Sequence, residues 1–333
     1  MAADEVLLRA AQAGDEGAFA RLVEPYRREL KAHCYRMAGS LHEADDLLQE
    51  SLLRVWRGLG TFAGRASLRT WIYTVATRAC LDALESRGAR RLPWGEGQPV
   101  DGKAGFGGPV LDPVWLEPCP ESLYDGEPHS PEARLSGRQS VALALLVAIQ
   151  SLPARQRAVL LLRDVLGWEA SECAEILGTS VASVTSALQR ARETLRERGG
   201  DEPLPIDDEA TSALLSRYLQ AWERADVPLL VSLLRDDATL CMPPLAEWLR
   251  GPAAIGASIA AMVLTPEAAG QFRLRPVRAN GLPAMAAWKR DDEGVWRASA
   301  IHLLEVRGGA LVAIAAFIDP SLFPLFDLPL VLD

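Results

Sequence analysis

Residues 168 to 197, WEASECAEILGTSVASVTSALQRARETLRE, hold two helical periodicities separated by nothing more than a Gly-Thr-Ser turn. In the first, Ala170, Cys173, Ala174 and Leu177 recur at the i, i+3, i+4, i+7 spacing of one buried face, and Gly178 suits the position just past the helix end. The second opens after Ser180, a good N-cap, and its apolar stripe is Val181, Val184, Leu188, Ala191 and Leu195. Ser183, Thr185, Ser186, Gln189, Arg190 and Arg192 are left outside the core. Short polar groups near the start and guanidiniums further along are what a major-groove helix needs, since its first turns reach base edges while later cations meet phosphates. The pattern is a helix-turn-helix, and DNA is the first partner to consider. An ordinary solvated helical hairpin shows the same periodicity, so the rest of the chain has to decide between them.

The N-terminal third contains two segments with chemistry of their own. In EADDLLQESLLRVW, Asp45, Asp46, Gln49 and Glu50 fall on successive turns of a predicted helix, while Leu47, Leu48, Leu52 and Val55 supply apolar surface. Such an acidic, amide-bearing face can pair with a basic helix, although an isolated acidic run is more commonly just solvated. Further on, TFAGRASLRTWIYTVATRACLDAL joins a Gly-bearing loop, Phe62 to Ser67, to a helix whose predicted apolar face is Leu68, Ile72, Val75, Ala76 and Ala79. Arg69, Trp71, Tyr73, Thr74 and Arg78 are expected on the other side. Aromatic rings among guanidiniums suit single-stranded DNA, because bases stack on rings at roughly 1 to 3 kcal/mol each while cations hold the backbone, and the loop is placed to receive a base taken out of the duplex.

Taken together, residues 15 to 87 resemble region 2, and residues 139 to 198 resemble region 4, of a sigma-70-type RNA polymerase sigma factor of the extracytoplasmic-function group. The two stretches cover roughly half of the chain, and their order agrees with the family. The resemblance implies that Asp45, Asp46, Gln49 and Glu50 dock on the β′ clamp of core RNA polymerase. It implies that Phe62, Arg65, Ser67, Arg69, Trp71 and Arg78 melt and read the minus-10 element. By the same resemblance Ser183, Thr185, Ser186, Gln189, Arg190 and Arg192 read the minus-35 element, with region 4 seated on the β flap. The chain departs from the family pattern at Ala66, where Ser is frequent, and at Arg78, where Asn is common, which bears on the minus-10 sequence preferred.

Residues 91 to 135, between the two regions, are rich in Pro, Gly and acidic groups and lack sustained periodicity, so a flexible linker is expected. In sigma factors the corresponding segment runs towards the polymerase active site, and Asp112, Glu117, Glu121 and Asp125 are placed by that resemblance to mimic RNA charge. The expected layout is residues 1 to 90 as region 2, 91 to 135 as linker, 136 to 200 as region 4 and 206 to 329 as a further domain.

That last domain reads as α+β: helices from Glu209 to Arg224, Pro228 to Leu234 and Pro252 to Val263, with strands at Ala238–Met242, Phe272–Ala279, Ala284–Lys289, Val295–Val306 and Leu311–Ile318. The stretch YLQAWERADVPLLVSLLRDDATLCMPPLAEWLRGPAAI resembles the SnoaL-like branch of the NTF2-like superfamily, a cone enclosing a pocket. The expected fold is therefore multidomain, with all-α region 2 and region 4 followed by an NTF2-like α+β cone. Tyr218, Trp222, Trp248, Arg278 and His302 are candidate pocket residues, and a small-molecule ligand is an expected partner. Some relatives of this cone are enzymes that use an Asp or His base. Here Asp226 reads as a helix cap and Asp237 as a turn residue, and fold alone does not confer activity; a regulatory, non-catalytic domain is expected. The apolar tail FIDPSLFPLFDLPLVLD offers Phe317, Leu322, Phe323, Leu325 and Phe326 either as a docking strip or as packing on its own domain.

Composition fits this reading. A formal charge of −9 over 333 residues argues against a protein that coats DNA through a basic surface, whereas a sigma factor shares its phosphate contacts with polymerase. The five cysteines are scattered singly, so neither a disulfide framework nor a metal site is expected, and no cofactor is implied. The longest apolar run, around Val141 to Ile149, falls far short of a membrane span, and a cytoplasmic location is expected. A one-component regulator would need the helix-turn-helix but neither the acidic helix nor the aromatic loop, which is how the two readings part.

Overall fold

Short polar side chains fix where the N-terminal helices begin. The computed structural model describes residues 2–85, 90–93, 98–101, 106–110, 115–124, 143–197 and 209–332. In it α1 spans Ala2–Gln12, α2 Glu16–Ala38, α3 Leu41–Gly58 and α4 Leu68–Leu84. Asp15 caps α2 by accepting from the Ala18 N–H at 2.9 Å, Ser40 caps α3 through Glu43 N–H at 3.1 Å, and Ser67 caps α4 through Thr70 N–H at 3.0 Å. Each meets a donor that the first helical turn leaves open. Later come α5 (Leu143–Gln150), α6 (Ala154–Leu160) running into a π turn at Leu161–Val165, then α7 (Ala170–Leu177) and α8 (Val181–Glu197). Gly178 ends α7 in the left-handed region at φ 60°, and Ser180 Oγ accepts from the Ser183 N–H at 3.2 Å to start α8, as the sequence predicts. Val181, expected in the core, is exposed instead because it sits on the first turn, before Val184, Leu188 and Ala191 reach the neighbouring helices.

Contacts divide the chain into two units: Met1–Arg90 with Ser122–Asp201, and Arg91–Glu121 with Glu202–Asp333. The first is all helical. Leu30, Tyr35, Met37, Leu41, Val55, Ile72, Tyr73, Ala76 and Cys80 are buried in it, each large apolar side chain contributing roughly 1.5 to 3 kcal/mol. Its two helical groups are joined at the C-terminal end of α2, where carbonyls have no partner within the helix. Gln150 Nε2 donates to Arg36 O at 3.0 Å, and the Arg157 guanidinium donates to Met37 O as well as to Gln150 Oε1 at 2.7 Å and Gln150 O at 2.8 Å. Gly39 turns the chain away at φ 75°, and a Cβ there would stand 2.9 Å from Gln150 Cδ.

The second unit contains α9 (Glu209–Glu223), α10 (Val227–Ser232), β1 (Leu234–Cys241), β2 (Trp248–Arg250), α11 (Pro252–Met262), β3 (Phe272–Ala279), β4 (Leu282–Arg290), β5 (Trp296–Arg307), β6 (Ala310–Phe317) and β7 (Val331–Leu332). They form a seven-stranded sheet of order β2-β1-β6-β5-β4-β3, with β7 on β5; β1 and β6 are parallel and the other pairs antiparallel. The sequence misses the short strands β2 and β7, too brief to show alternation, and places the start of β1 inside the preceding helix.

One expectation needs correction, and one open alternative is resolved. Residues 91 to 135 are not simply a loose linker: the described part of 91–121 is held on the cone. Val110 N–H donates to Pro244 O at 2.9 Å, Trp115 Nε1 donates to the same carbonyl at 3.1 Å, and Glu121 pairs with Arg278 at 2.8 Å. Asn280, left-handed at φ 53° and buried, accepts from Cys119 N–H at 2.7 Å and donates its own N–H to Cys119 O at 3.0 Å. Asp112 and Asp125 lie outside the described residues. Of the two readings of the tail, packing on its own domain is the one seen, since Phe317, Leu322, Phe323 and Phe326 are buried. Phe323 packs edge-on against Trp288 with ring centroids 5.0 Å apart, and Trp288 Nε1 donates to Pro329 O at 3.0 Å.

Gly39 allows a direct test of the joint on α2. Gly14 is also left-handed, at φ 95°, but a Cβ there meets nothing within 4 Å. Backbone strain costs each Ala substitution about 1 to 2 kcal/mol, whereas Gly39→Ala must also displace Gln150. Urea unfolding is expected to show Gly39→Ala at least ~1 kcal/mol less stable than Gly14→Ala; equal losses would mean that the Gln150 contact carries no weight.

Candidate functional site

On α3 the heptad-like placement of Leu47, Leu48, Leu52 and Val55 buries one face and turns the acidic face outward. Asp46 and Gln49 are exposed there. Asp45 is half-buried and pairs with Lys31 at 2.7 Å, and Glu50 pairs with Arg54 at 2.7 Å, which in turn reaches Asp82 on α4 at 2.6 Å. The expected acidic quartet thus divides into an outward pair and a pair already committed to neighbouring cations.

The loop and α4 divide in the same way. Arg65 and Ser67 are exposed, with Ser67 Oγ occupied as the helix cap. Phe62 and Trp71 are half-buried and lean on each other with centroids 5.1 Å apart, and Trp71 belongs to a small cluster with Leu7, Leu8, Phe19 and Trp56. Tyr73, expected on the outer side, is fully buried: one edge meets His33 and another meets Trp168 of the helix-turn-helix, at centroid distances of 5.4 and 5.1 Å. His33 is neutral, its pKa pushed down to about 3 by burial and by the nearby Arg36 charge. Arg69 pairs with Glu29 at 3.0 Å and lies over the Tyr73 and Trp168 rings. Arg78 donates from Nε to Ile176 O, at the end of α7, at 3.3 Å. Helix α7 and Trp168, two residues before it, therefore cover part of the α4 face.

On α8, Ser183, Thr185, Ser186, Gln189 and Arg190 are exposed along one edge. Arg192 is also exposed but forms a bidentate pair with Asp164, at 2.6 and 2.9 Å. The hydrogen bond strengthens its hold on the proton, so it stays cationic.

In the second unit Ala287, Ala300 and Ala316, on three adjacent strands, leave room on the concave face of the sheet for a cavity of about 170 Å³. Tyr218 and Trp222 of α9 and Ile255 and Ile259 of α11 close it, and His302 of β5 joins the wall. Tyr218 Oη and His302 Nδ1 are 3.0 Å apart, fully buried together. Burial holds His302 neutral, with its pKa lowered to about 4, and raises the Tyr218 phenol far above its ordinary value. Trp248 and Arg278, the other expected pocket residues, do not line this cavity. Trp248 sits in β2 opposite Cys241, and Arg278 faces Glu121 beyond the sheet edge. Asp226 caps α10 through Leu229 N–H at 2.9 Å, and Asp237 is tied to Arg235. Lys289 and Ser299, which also line the cavity, carry no sequence signal that sets them apart. Among the described residues no cluster of His, Cys, Asp and Glu is suited to a metal ion, and no helix is long and apolar enough to cross a membrane.

Comparison with known proteins bears directly on these surfaces. Residues 22–90 match Sigma-70 region 2, residues 142–195 match Sigma-70, region 4, and residues 215–314 match the SnoaL-like domain. The chain is 43% identical over 316 residues to the ECF RNA polymerase sigma factor SigG of Mycobacterium tuberculosis, covering 94% of this chain and 84% of that one.

The chain belongs to the ECF RNA polymerase sigma factors.

This sigma factor is also 28% identical to SigW of Bacillus subtilis, over 56% of its own length and 90% of the relative's. The crystal structure of Mycobacterium tuberculosis SigJ shares its fold, with a TM-score of 0.57 at 24% identity over 91% of this chain and 97% of that one. The α+β cone is thus the SnoaL-like domain, and α3 with α4 falls in region 2. The joint residues Gln150 and Arg157 were not foreseen from sequence; a buried Arg that meets carbonyls at the C-terminal end of another helix gives no periodic signal.

The exposed pair on region 2 separates function from folding. Asp46→Ala with Gln49→Ala is expected to leave the urea midpoint within the equivalent of ~0.5 kcal/mol of the parent. Tyr73→Ala, which empties a buried ring site, is expected to cost about 3 kcal/mol or more. A large loss from the double variant would show that these side chains belong to the core after all.

Proposed function

We propose that this sigma factor docks on the β′ clamp of core RNA polymerase through Asp46 and Gln49, with Asp45 and Glu50 shaping the same face. The loop from Phe62 to Ser67 and the Arg69, Trp71 and Arg78 side of α4 engage the melted minus-10 strand. The Ser183 to Arg192 edge of α8 reads the minus-35 duplex, with region 4 on the β flap, and the SnoaL-like domain modulates initiation. The observation that carries this reading is the survival of outward polar groups on three separate surfaces: Asp46 and Gln49 on α3, Arg65 on the loop, and Ser183, Thr185, Ser186, Gln189 and Arg190 on α8 are all exposed. A one-component regulator uses only the last of the three, and an enzyme none of them.

The covered face of α4 adds a condition. Arg78 is bonded to Ile176 O, and Arg69 is sandwiched by Glu29, Tyr73 and Trp168. Single-stranded DNA needs those guanidiniums and the adjacent rings, so α7 has to leave α4 before melting is complete. The free sigma factor is therefore closed with respect to the minus-10 strand, and binding of polymerase favours the open arrangement.

Run-off transcription with purified core polymerase tests both statements, on a template taken from upstream of the chain's own gene. The parent is expected to initiate, and Asp46→Ala with Gln49→Ala to lose initiation by tenfold or more at equal folded concentration. Trp168→Ala, which removes the ring covering Arg69 and Tyr73, is expected to raise initiation several-fold at limiting polymerase. Normal initiation by the double variant would remove α3 from the docking surface, and specific duplex binding with no initiation by the parent would favour the one-component regulator.

A further inference from the structure

The cavity of the SnoaL-like domain has an unusual balance of polar groups. Its wall is mostly apolar, from Leu230, Leu240, Met242, Ile255, Ile259 and Phe272, yet three hydrogen-bonding side chains are sunk in it. Trp222 is 6% exposed, and its indole N–H completes no hydrogen bond. It lies near enough to Tyr218 to favour the ionised phenol slightly, without the geometry of a bond. A buried indole N–H is a donor that normally finds a partner. The neutral Tyr218 and His302 share one hydrogen bond, and in either tautomer the pair keeps a further N–H or O–H to give. No lining residue carries a carboxylate.

We propose that this cavity binds a small, neutral, apolar molecule, of the size of a single substituted ring, that presents one carbonyl oxygen to the Trp222 indole N–H. Size follows from the volume: about 170 Å³ compares with the roughly 150 Å³ apolar cavity that accommodates benzene. Polarity follows from the wall, where an acceptor relieves the unpaired donor while the rest of the ligand meets hydrocarbon. Neutrality follows from desolvation, because a charge placed against Trp222 and His302 loses its hydration and finds no counter-ion there. Lys289, the one cation among the lining residues, is exposed and keeps its own hydration. A cationic ligand finds no anion in the wall at all. The inference rests on the reading of this domain as ligand-binding and is independent of how regions 2 and 4 meet polymerase.

The test uses the full chain labelled with ¹⁵N at its nine tryptophan indoles, the Trp222 resonance being the one lost in Trp222→Phe. Three probes share one shape: acetophenone has the carbonyl, ethylbenzene lacks it, and benzoate replaces it with an anion. Acetophenone is expected to move the Trp222 N–H signal downfield and saturably, and to bind about tenfold more tightly than ethylbenzene, the value of one hydrogen bond of ~1.4 kcal/mol. Ala316→Leu, which fills the cavity and keeps Trp222, is expected to abolish that shift. Equal affinity for acetophenone and ethylbenzene, tighter binding of benzoate, or no saturable shift with acetophenone each overturns the proposal. Run-off transcription on the same preparation reads the sigma role separately: initiation without acetophenone binding sinks only the ligand, and binding without initiation sinks only the sigma reading.

Discussion

The last carbonyls of α2 are the point on which the arrangement of regions 2 and 4 depends. A helix end leaves acceptors that must be satisfied by something, and here Gln150 and Arg157, from the other side of the unit, satisfy Arg36 O and Met37 O. Gly39 makes this geometry accessible by turning left-handed at φ 75° and by having no Cβ to displace Gln150. Once α5 and α6 are fixed there, α7 is carried onto α4, and Trp168 meets Tyr73 while Arg78 meets Ile176 O. The cover over this side of α4 is therefore a consequence of a hydrogen-bonding requirement at a helix end some distance along the chain.

The strength of this joint can be judged by its parts. The bonds that cross it, from Gln150 to Arg36 O, from Arg157 to Met37 O and from Arg78 to Ile176 O, are worth about 1 kcal/mol each once competition with water is counted. The Tyr73 and Trp168 rings add about another. Arg157 works the other way: burial lowers its pKa to about 10, so it remains charged at neutral pH at the expense of its hydration. Rehydrating it on opening recovers part of what the broken bonds lose. The sum is a few kcal/mol, an amount that a partner with a matching preference for the open arrangement can overcome.

What was readable in the sequence follows the range of the physical signal. The end of α7 at Gly178 and the start of α8 at Ser180 were legible, because both act within one turn of where they stand, while Val181 was misplaced. The sheet was legible wherever strands were long enough to alternate, and β2 and β7 were not. Tyr73 was misplaced because its neighbours in sequence are Arg69, Thr74 and Arg78, whereas the surface that buries it comes from Trp168, far along the chain. Trp248 and Arg278 were expected in the pocket on residue type alone, and neither lines the cavity. The segment from Arg91 to Glu121 was expected to be loose because Pro and Gly break periodicity. Its described part is held by bonds from Val110 N–H and the Trp115 indole to Pro244 O, by the Asn280 side chain and by the Glu121–Arg278 pair, none of which composition can show.

The attachment of that segment changes what the SnoaL-like domain can act upon. In this chain the stretch preceding region 4 is part of the cone's own unit up to Glu121, while Leu123 and Tyr124 pack with region 2 through Arg28 and Arg36. His302 is held neutral down to about pH 4, so the donors presented by Trp222 and by the Tyr218–His302 pair are the same across the neutral range. The hydrogen-bonding character of this pocket is therefore independent of pH across that range.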